Sequence, residues 1–501
     1  MSTNDILNIP KEKFTFIHAD DGAKNFFEEE IFSAKPTGYF KDAISRFVKN
    51  KGSVVCFFII LVLVLYAFLA PVFSPYKISD RDGYYAYATP RAELFSKSTF
   101  WSGTKKMEVN EKTYQYLQNI PGAVTKYYGV KERDIAGRKM QRHIIRVDTY
   151  NKTGWVKILL TPQEYHDARQ WESQECVEGQ RLFYPMLDEK RIASPAYKGD
   201  QNAWFLTDSR GNVILSDSGE LQDIFLRAKL EDGHDVGEEI YFVPRMNGSQ
   251  YETRVLYKEW YRYKNGHYAS FIFGADKSGY DIFTRLAYGA RLSLLLSICV
   301  AAINLFLGIV IGALEGYYGG ALDLILERIK DILYDVPSLV IFALFQLYLA
   351  NIVGPIVSMF FAFIFYGWIG TSSTVRAQMY RFKGQDYVLA SRTLGAGDMR
   401  LIFSHILPNA IGFIITASVL TIPGVIFSEA NLTYLGIVNL EGDSMTSVGT
   451  MLNAAKATLS TYPHCLFFPA AFISILLVCF NEFGNGLRDA FNPTLRGAED
   501  A

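Results

Sequence analysis

The stretch DYVLASRTLGAGDMRLIFSHILPNA, from Asp386 to Ala410, lies between two of the most apolar blocks of the chain, yet it holds two arginines, two aspartates and a histidine. Asp386 is a good N-cap and Gly395 a good C′ residue, so the spacing predicts a short helix over Tyr387–Leu394. Such a helix has about two turns and is roughly 12 Å long. Asp398 is placed to cap a second helix, and Pro408 to mark the start of the next apolar span. Two turns are not stable alone in water. The helix therefore needs a docking surface, which is expected to be another protein.

The surroundings set the fold class. The 501 residues are 50% hydrophobic and 15% aromatic, and the apolar residues pile into blocks long enough to cross a bilayer core of about 30 Å. A net charge of −1 argues against nucleic acid as a partner, since binding it asks for a basic excess. Four of the five cysteines, Cys56, Cys299, Cys465 and Cys479, lie in or beside apolar blocks. Cys176 stands alone in a polar region, so no disulfide framework is available there. The sequence offers no CxxC and no clustered Cys/His pattern for a metal. The first 50 residues are polar and mixed in charge, which does not read as a cleavable signal peptide.

Candidate spans run over Ser53–Val72, Leu292–Leu314, Val336–Val353, Pro355–Gly370, Asn409–Ala430 and His464–Asn481. The fourth is the shortest, and six spans put both ends on one side. Lys41, Arg46, Lys49 and Lys51 precede the first span, and Arg376, Arg381, Lys383, Arg392 and Arg400 lie between the fourth and fifth. The junction NIVGP between the third and fourth has no basic residue, and the loop before the sixth has only Lys456. The positive-inside rule then places both termini and the opening stretch in the cytoplasm. Arg488 and Arg496 in the tail agree, while the segment with Arg328 and Lys330 is mixed in charge.

Between the first and second spans lie about 200 residues, far above ordinary loop length and enough for a domain. Their punctuation is β-like. Asn265-Gly266 in EWYRYKNGHYASFIF and Asn247-Gly248 in IYFVPRMNGSQYETRVLY predict hairpins. AWFLTDSRGNVILS and IIRVDTYNKTGWVKILL predict two more. TPQEYHDARQWESQ and SGELQDIFLRAKLED read as helices, so an α+β external domain is expected. EDGHD, from Glu231 to Asp235, is read as a solvated turn, since no second ligand cluster supports a metal.

Ala390, Ser391, Gly395, Leu407 and Pro408 fall at the spacing of the EAA…G…LP coupling loop of ABC-importer permeases, which the opening stretch resembles. FGADKSGYDIFTRLAYGARLSLLLS (Phe273–Ser297) is similar to the segment leading into the second span of the C-type permease of dipeptide and oligopeptide importers (OppC/DppC type). GYYGG, ILERIKDILYDVPSL, SEANLTYLGI and LRDAFNPTLR resemble further blocks of that family, in the same order. DAISRFVKNKGSVV is similar to its amphipathic N-terminal helix and first span. The resemblance takes in nearly everything outside the extreme N-terminus and the external insert.

That resemblance implies six transmembrane helices of the ABC-importer permease type, and the insert's own pattern adds an inserted α+β domain. The divisions are a cytoplasmic segment 1–52, the first span 53–73, the insert 74–272, the permease core 273–485 with its coupling loop 386–408, and a cytoplasmic tail 486–501. It implies a second permease of OppB/DppB type, two ABC ATPase subunits, an extracytoplasmic solute-binding protein and a peptide cargo. Asp386, Leu389, Ala390, Ser391, Arg392, Gly395, Asp398 and Pro408 are the expected ATPase contacts. Leu389 stands where the family usually has Glu; with Asp386 as N-cap this is N3, where Glu would complete a capping box. The large insert is the second departure.

The chain has no GxxxxGK[ST] loop for phosphates, so ATP and Mg are expected in the partner subunits and no cofactor here. No nucleophilic triad or carboxylate pair suggests an enzyme. Gly308, Gly312 and Gly316 form a small-xxx-small stripe for close helix packing, with the partner permease as one surface it could meet. Glu429, at the outer end of the fifth span, is expected to be solvated at the interface, with contact to a peptide's amino terminus as the functional alternative. Arg328 and Asp331 are spaced for a local i, i+3 pair. Two other readings stay open: the same architecture importing nickel chelates or another small solute, and a membrane sensor with an external ligand domain. A sensor needs a cytoplasmic output module, and no stretch is long enough for one.

Overall fold

The structure is a computed structural model that describes residues 39–92, 95, 98, 100–135, 138–177, 180–184, 218, 240–243, 250–442 and 444–491. Helix α1 (Tyr39–Lys49) ends at Asn50, whose side chain accepts from the Ser53 amide at 3.2 Å and starts α2 (Lys51–Phe73). Large apolar side chains of α2, such as Phe58, Val62 and Phe73, are exposed. Lipid is the solvent such a surface suits.

The segment after α2 carries two antiparallel sheets. In the first, β1 (Thr104–Val109), β2 (Val124–Ile135) and β3 (Arg138–Asp148) lie in the order β1-β3-β2, with α3 (Glu111–Asn119) between β1 and β2. The second holds β4 (Trp155–Leu160), β5 (Phe183–Tyr184), β6 (Ile240–Val243) and β7 (Gln250–Leu256), all but β7 paired to β7. Helix α4 (Pro162–Glu175) starts with a Thr161–Glu164 capping box, as its sequence suggests, and Cys176 is a free thiol at its C-cap.

Two expected hairpins are corrected. Asn265-Gly266 closes a helix, α5 (Tyr257–Asn265): Gly266 has φ +76 and its amide bonds the Arg262 carbonyl at 2.8 Å. A hairpin turn and a helix C′ both need positive φ, so the dipeptide suits either. Burial of Tyr257 and Tyr261, one turn apart, favours the helix. In IIRVDTYNKTGWVKILL the strands form but join different sheets, because β3 pairs with β1 and β2 while β4 pairs with β7. Asp148 folds the connection by accepting from the Tyr150 amide at 2.9 Å. Around Asn247-Gly248, β6 and β7 pair antiparallel with Val243 opposite Gln250. That turn, the hairpin in 203–216, all but Ser218 of the helix in 218–232, EDGHD, and the ends 1–38 and 492–501 lie outside the described residues.

The membrane helices follow as α6 (Ile282–Tyr318), α7 (Gly320–Asp335), α8 (Ser338–Tyr348), α9 (Pro355–Phe382), α10 (Asp386–Thr393), α11 (Asp398–Tyr434), α12 (Val448–Ala455) and α13 (His464–Phe491). Among the described residues, five helices are long and apolar enough to cross a membrane, or six if α7 and α8, bent by 79°, form one broken span. The break falls at Pro337, which cannot donate to the turn before it. The fourth span is not short: α9 runs through Thr371–Ser373 to Phe382. Pro408 does not begin a span either. Helix α11 passes through it by widening to a π turn over Leu401–Ile406, where the Leu407 amide bonds the Ile402 carbonyl.

The glycine stripe packs against this chain's own α9. A Cβ at Gly308 would lie 2.6 Å from the Thr371 side chain, at Gly312 2.3 Å from the Ser372 carbonyl, and at Gly316 2.6 Å from Met379 Cβ. These contacts fix α6 on α9 at backbone distance. Elsewhere α2, α6, α11, α12 and α13 share one apolar core through Ala67, Leu294, Ile426, Met451 and Leu476.

Candidate functional site

The opening stretch forms the expected helix–turn–helix with a shifted start. Gln385, in extended conformation, is the N-cap of α10 and offers no side-chain cap bond. Asp386 is therefore the first helical residue, where its charge still meets the positive end of the helix. Leu389 accordingly falls at N4, and it is exposed. At the other end Gly395 has φ +85. Its amide bonds the Arg392 carbonyl at 3.0 Å and the Ala396 amide bonds the Ser391 carbonyl at 3.1 Å, which is a Schellman closure. Ser391 also donates its hydroxyl to the Tyr387 carbonyl at 2.8 Å.

One side of α10 is anchored. Val388 is fully buried, in one cluster with Tyr317, Met379, Leu401, Ile402 and Ile406. Burying a valine is worth roughly 1.5–3 kcal/mol, enough to hold a two-turn helix in place. Asp398 does not cap a helix through its side chain, because Gly397 holds the N-cap position. Its carboxylate accepts from the Tyr317 hydroxyl at 2.6 Å, and Arg392 donates to that same phenolic oxygen at 3.2 Å. The end of α6 thus grips both halves of the loop through one side chain. Ala390, Arg392 and Pro408 are exposed. Leu394, at the tip, is 88% exposed, and Met399 and Phe403 are also open. The loop presents an apolar edge to solvent while its back is latched to the bundle.

Two residues before Tyr317, Glu315 begins a buried charge network that sequence reasoning missed. Lys330 of α7 donates to Glu315 at 2.9 Å, with side chains 3% and 0% exposed, and also pairs with Glu327. Arg376 of α9 clamps Asp323 of α7 through Nε and Nη2 at 2.5 and 2.8 Å, and Tyr380 donates to the same carboxylate at 2.8 Å. The partners come from three helices, so no local spacing signals them. Arg328 and Asp331 make the expected i, i+3 pair at 3.0 Å on the surface.

Glu429 is a correction. It is 1% exposed, not solvated at the interface. Its carboxylate accepts from Ser293 of α6 at 2.7 Å and from Thr433 at 3.5 Å. One of these hydroxyls comes from α6 and the other from the helix of Glu429 itself, and such partners let a carboxylate be buried.

The family described as binding-protein-dependent transport system inner membrane component matches residues 304–497. The N-terminal TM domain of oligopeptide transport permease C matches residues 38–90. The oligopeptide transport system permease protein OppC of Bacillus subtilis is 43% identical over 224 residues, which are 45% of this chain and 72% of that protein. The chain belongs to this permease family. The dipeptide transport system permease protein DppC of the same organism is 40% identical over 225 residues, 45% of this permease and 69% of its own length. A solved inward-facing MetNI methionine ABC transporter is 15% identical with a TM-score of 0.33, covering 42% of this chain and 96% of that one. The two family matches leave out residues 91–303, which hold both of the described sheets.

Proposed function

We propose that this permease forms half of a translocation pathway for di- and oligopeptides across the cytoplasmic membrane. A second permease of OppB/DppB type supplies the other half, two ABC ATPase subunits bind ATP and Mg below, and an extracytoplasmic solute-binding protein delivers peptide. Both termini face the cytoplasm, and the insert 74–272 stands outside as a folded α+β domain. The core is 273–485, and the loop 386–408 is the ATPase contact.

The observation that carries this reading is the helix α10, closed by Gly395, with Val388 buried behind it and Leu394 88% exposed in front. An apolar tip held on a short rigid helix is suited to a groove on a partner. Tyr317 passes displacement of the loop to α6, and the glycine stripe passes it to α9 with little slack, since packed backbones transmit strain. The Lys330–Glu315 pair carries α7 along. The test is uptake of labelled peptides of graded length into vesicles with and without this subunit, with a nickel chelate as the competing cargo. ATP-dependent peptide uptake that requires the subunit supports the reading; chelate uptake alone contradicts it.

A further inference from the structure

Between the outer end of α2 and α5 lies a cleft of about 400 Å³ that the transport reading does not use. Small-molecule sites have volumes of roughly 300–1,000 Å³. Its walls include Tyr76, Tyr257 and Tyr261, all buried, with Trp260 partly exposed. Asp80 and Asp82 line it, and so do Arg81 and Lys264. The Asp82 carboxylate accepts from the Tyr257 hydroxyl and from the Tyr84 amide at 3.0 Å. Both donors are neutral, and among the described residues no cation pairs with it. Burial pushes its carboxyl above the ordinary value, against those hydrogen bonds.

A partly buried carboxylate without a counter-charge, set among aromatic rings, favours an organic ammonium: the carboxylate gives a charge-assisted hydrogen bond and the rings a cation–π surface. The rim already takes one such group, since Lys264 Nζ lies 4.9 Å from the Trp260 ring centroid. Two acids and two bases around one cleft suit a zwitterion better than a simple amine.

We propose that this cleft binds the free amino terminus of a short peptide, the ammonium between Asp82 and the aromatic walls and the far end toward Arg81 and Lys264. The choice of a peptide rests on the transport reading; the ammonium chemistry rests on the cleft. The test uses the full-length permease in lipid nanodiscs, without partners, and titration calorimetry with trialanine, trialanine amide and N-acetyl-trialanine. Trialanine and its amide are expected to bind at one site per chain, and acetylation to weaken binding at least tenfold. Asp82→Asn should weaken trialanine at least tenfold and Trp260→Ala several-fold. Asp82 also holds the turn Gly83–Tyr85, so the rim variant Trp260→Ala stands as the independent probe, with thermal melting recorded for both.

Equal affinity for free and acetylated peptide, no binding of any probe, or full binding by Trp260→Ala overturns the site. Uptake by the assembled transporter is measured separately. Intact uptake with no binding in nanodiscs rejects the cleft and leaves the transport reading standing. Ammonium-dependent binding with no peptide uptake supports the cleft and rejects peptide as cargo.

Discussion

The two faces of the bundle are held by different means. At the end that carries the sheets, loops flanking the strands are joined to the start of the last span by packed rings. Tyr87 stacks on Tyr462 at 4.2 Å and Phe273 on Phe468 at 4.0 Å, while Lys105 lies 3.6 Å over the Tyr462 ring and donates to the Thr461 carbonyl at 2.8 Å. Tyr87 has φ +58, a strained conformation for a bulky residue that only a close-packed setting sustains. At the opposite end, the short helix α10 rests on one buried valine and the Tyr317 latch. On the proposed function, the ring-packed junction moves with the bundle as one piece, and the loop is the part that is displaced and pulls. Two glycines with nearly equal dihedrals mark the contrast. Gly279 and Gly395 have φ +84 and +85, but a Cβ at Gly279 would lie 1.8 Å from the Asp82 carbonyl, whereas at Gly395 it meets nothing.

The largest effect expected lies in the buried charges behind the latch. Lys330→Met removes the nearer cation of Glu315 and leaves only Arg376 at 3.9 Å, at a cost approaching the roughly 3–5 kcal/mol of a broken buried pair. Accumulation in the membrane should fall sharply, and adding Glu315→Gln should restore part of it. Quantitative immunoblotting of both variants checks this.

Gly279→Ala should be nearly as damaging, since strain of about 1–2 kcal/mol adds to overpacking of about 1–3 kcal/mol against backbone. Limited proteolysis should show the outer segment released from its protected state. If Gly279→Ala is as resistant as the native chain, the outer junction is not tightly packed.

Tyr317→Phe removes both latch hydrogen bonds and keeps the ring. The expected loss is about 1–3 kcal/mol, felt in transmission and not in insertion. Membrane levels should be unchanged while substrate-stimulated ATP hydrolysis in the assembled transporter drops several-fold. A variant with full stimulation would remove Tyr317 from the transmission path.

Gly395→Val should have the smallest effect on stability, about 1–2 kcal/mol of local strain in open space. Assembly with the partner permease should survive, and coupled uptake should fall. Normal uptake by this variant would mean that the turn's shape is not needed.

These effects follow how far each feature could be read along the chain. Gly395 was legible because a C′ glycine follows its helix directly. The membrane spans were legible as apolar blocks, but their ends were not: α6 and α11 continue past the apolar blocks through polar turns. Asp386 looked like a cap, yet the extended residue before it, Gln385, takes that position. Asn265-Gly266 suited two structures with the same dihedral need, and only the burial of Tyr257 and Tyr261 separates them. Tyr317 reaches Arg392 and Asp398 across 75 and 81 residues, and Ser293 reaches Glu429 across 136. Contacts at such separation leave no periodic trace in one sequence.

The most direct measurement is cysteine cross-linking at the loop tip. In a background with the native cysteines replaced, Leu394→Cys at the loop tip is compared with Leu435→Cys just past the opposite end of α11, which is 57% exposed. With a short bifunctional thiol reagent in membranes, Leu394→Cys should give a product joining this permease to an ATPase subunit, and Leu435→Cys should give none. Cross-linking to the ATPase from Leu435→Cys, or from neither position, would contradict the assignment of Asp386–Pro408 as the coupling loop.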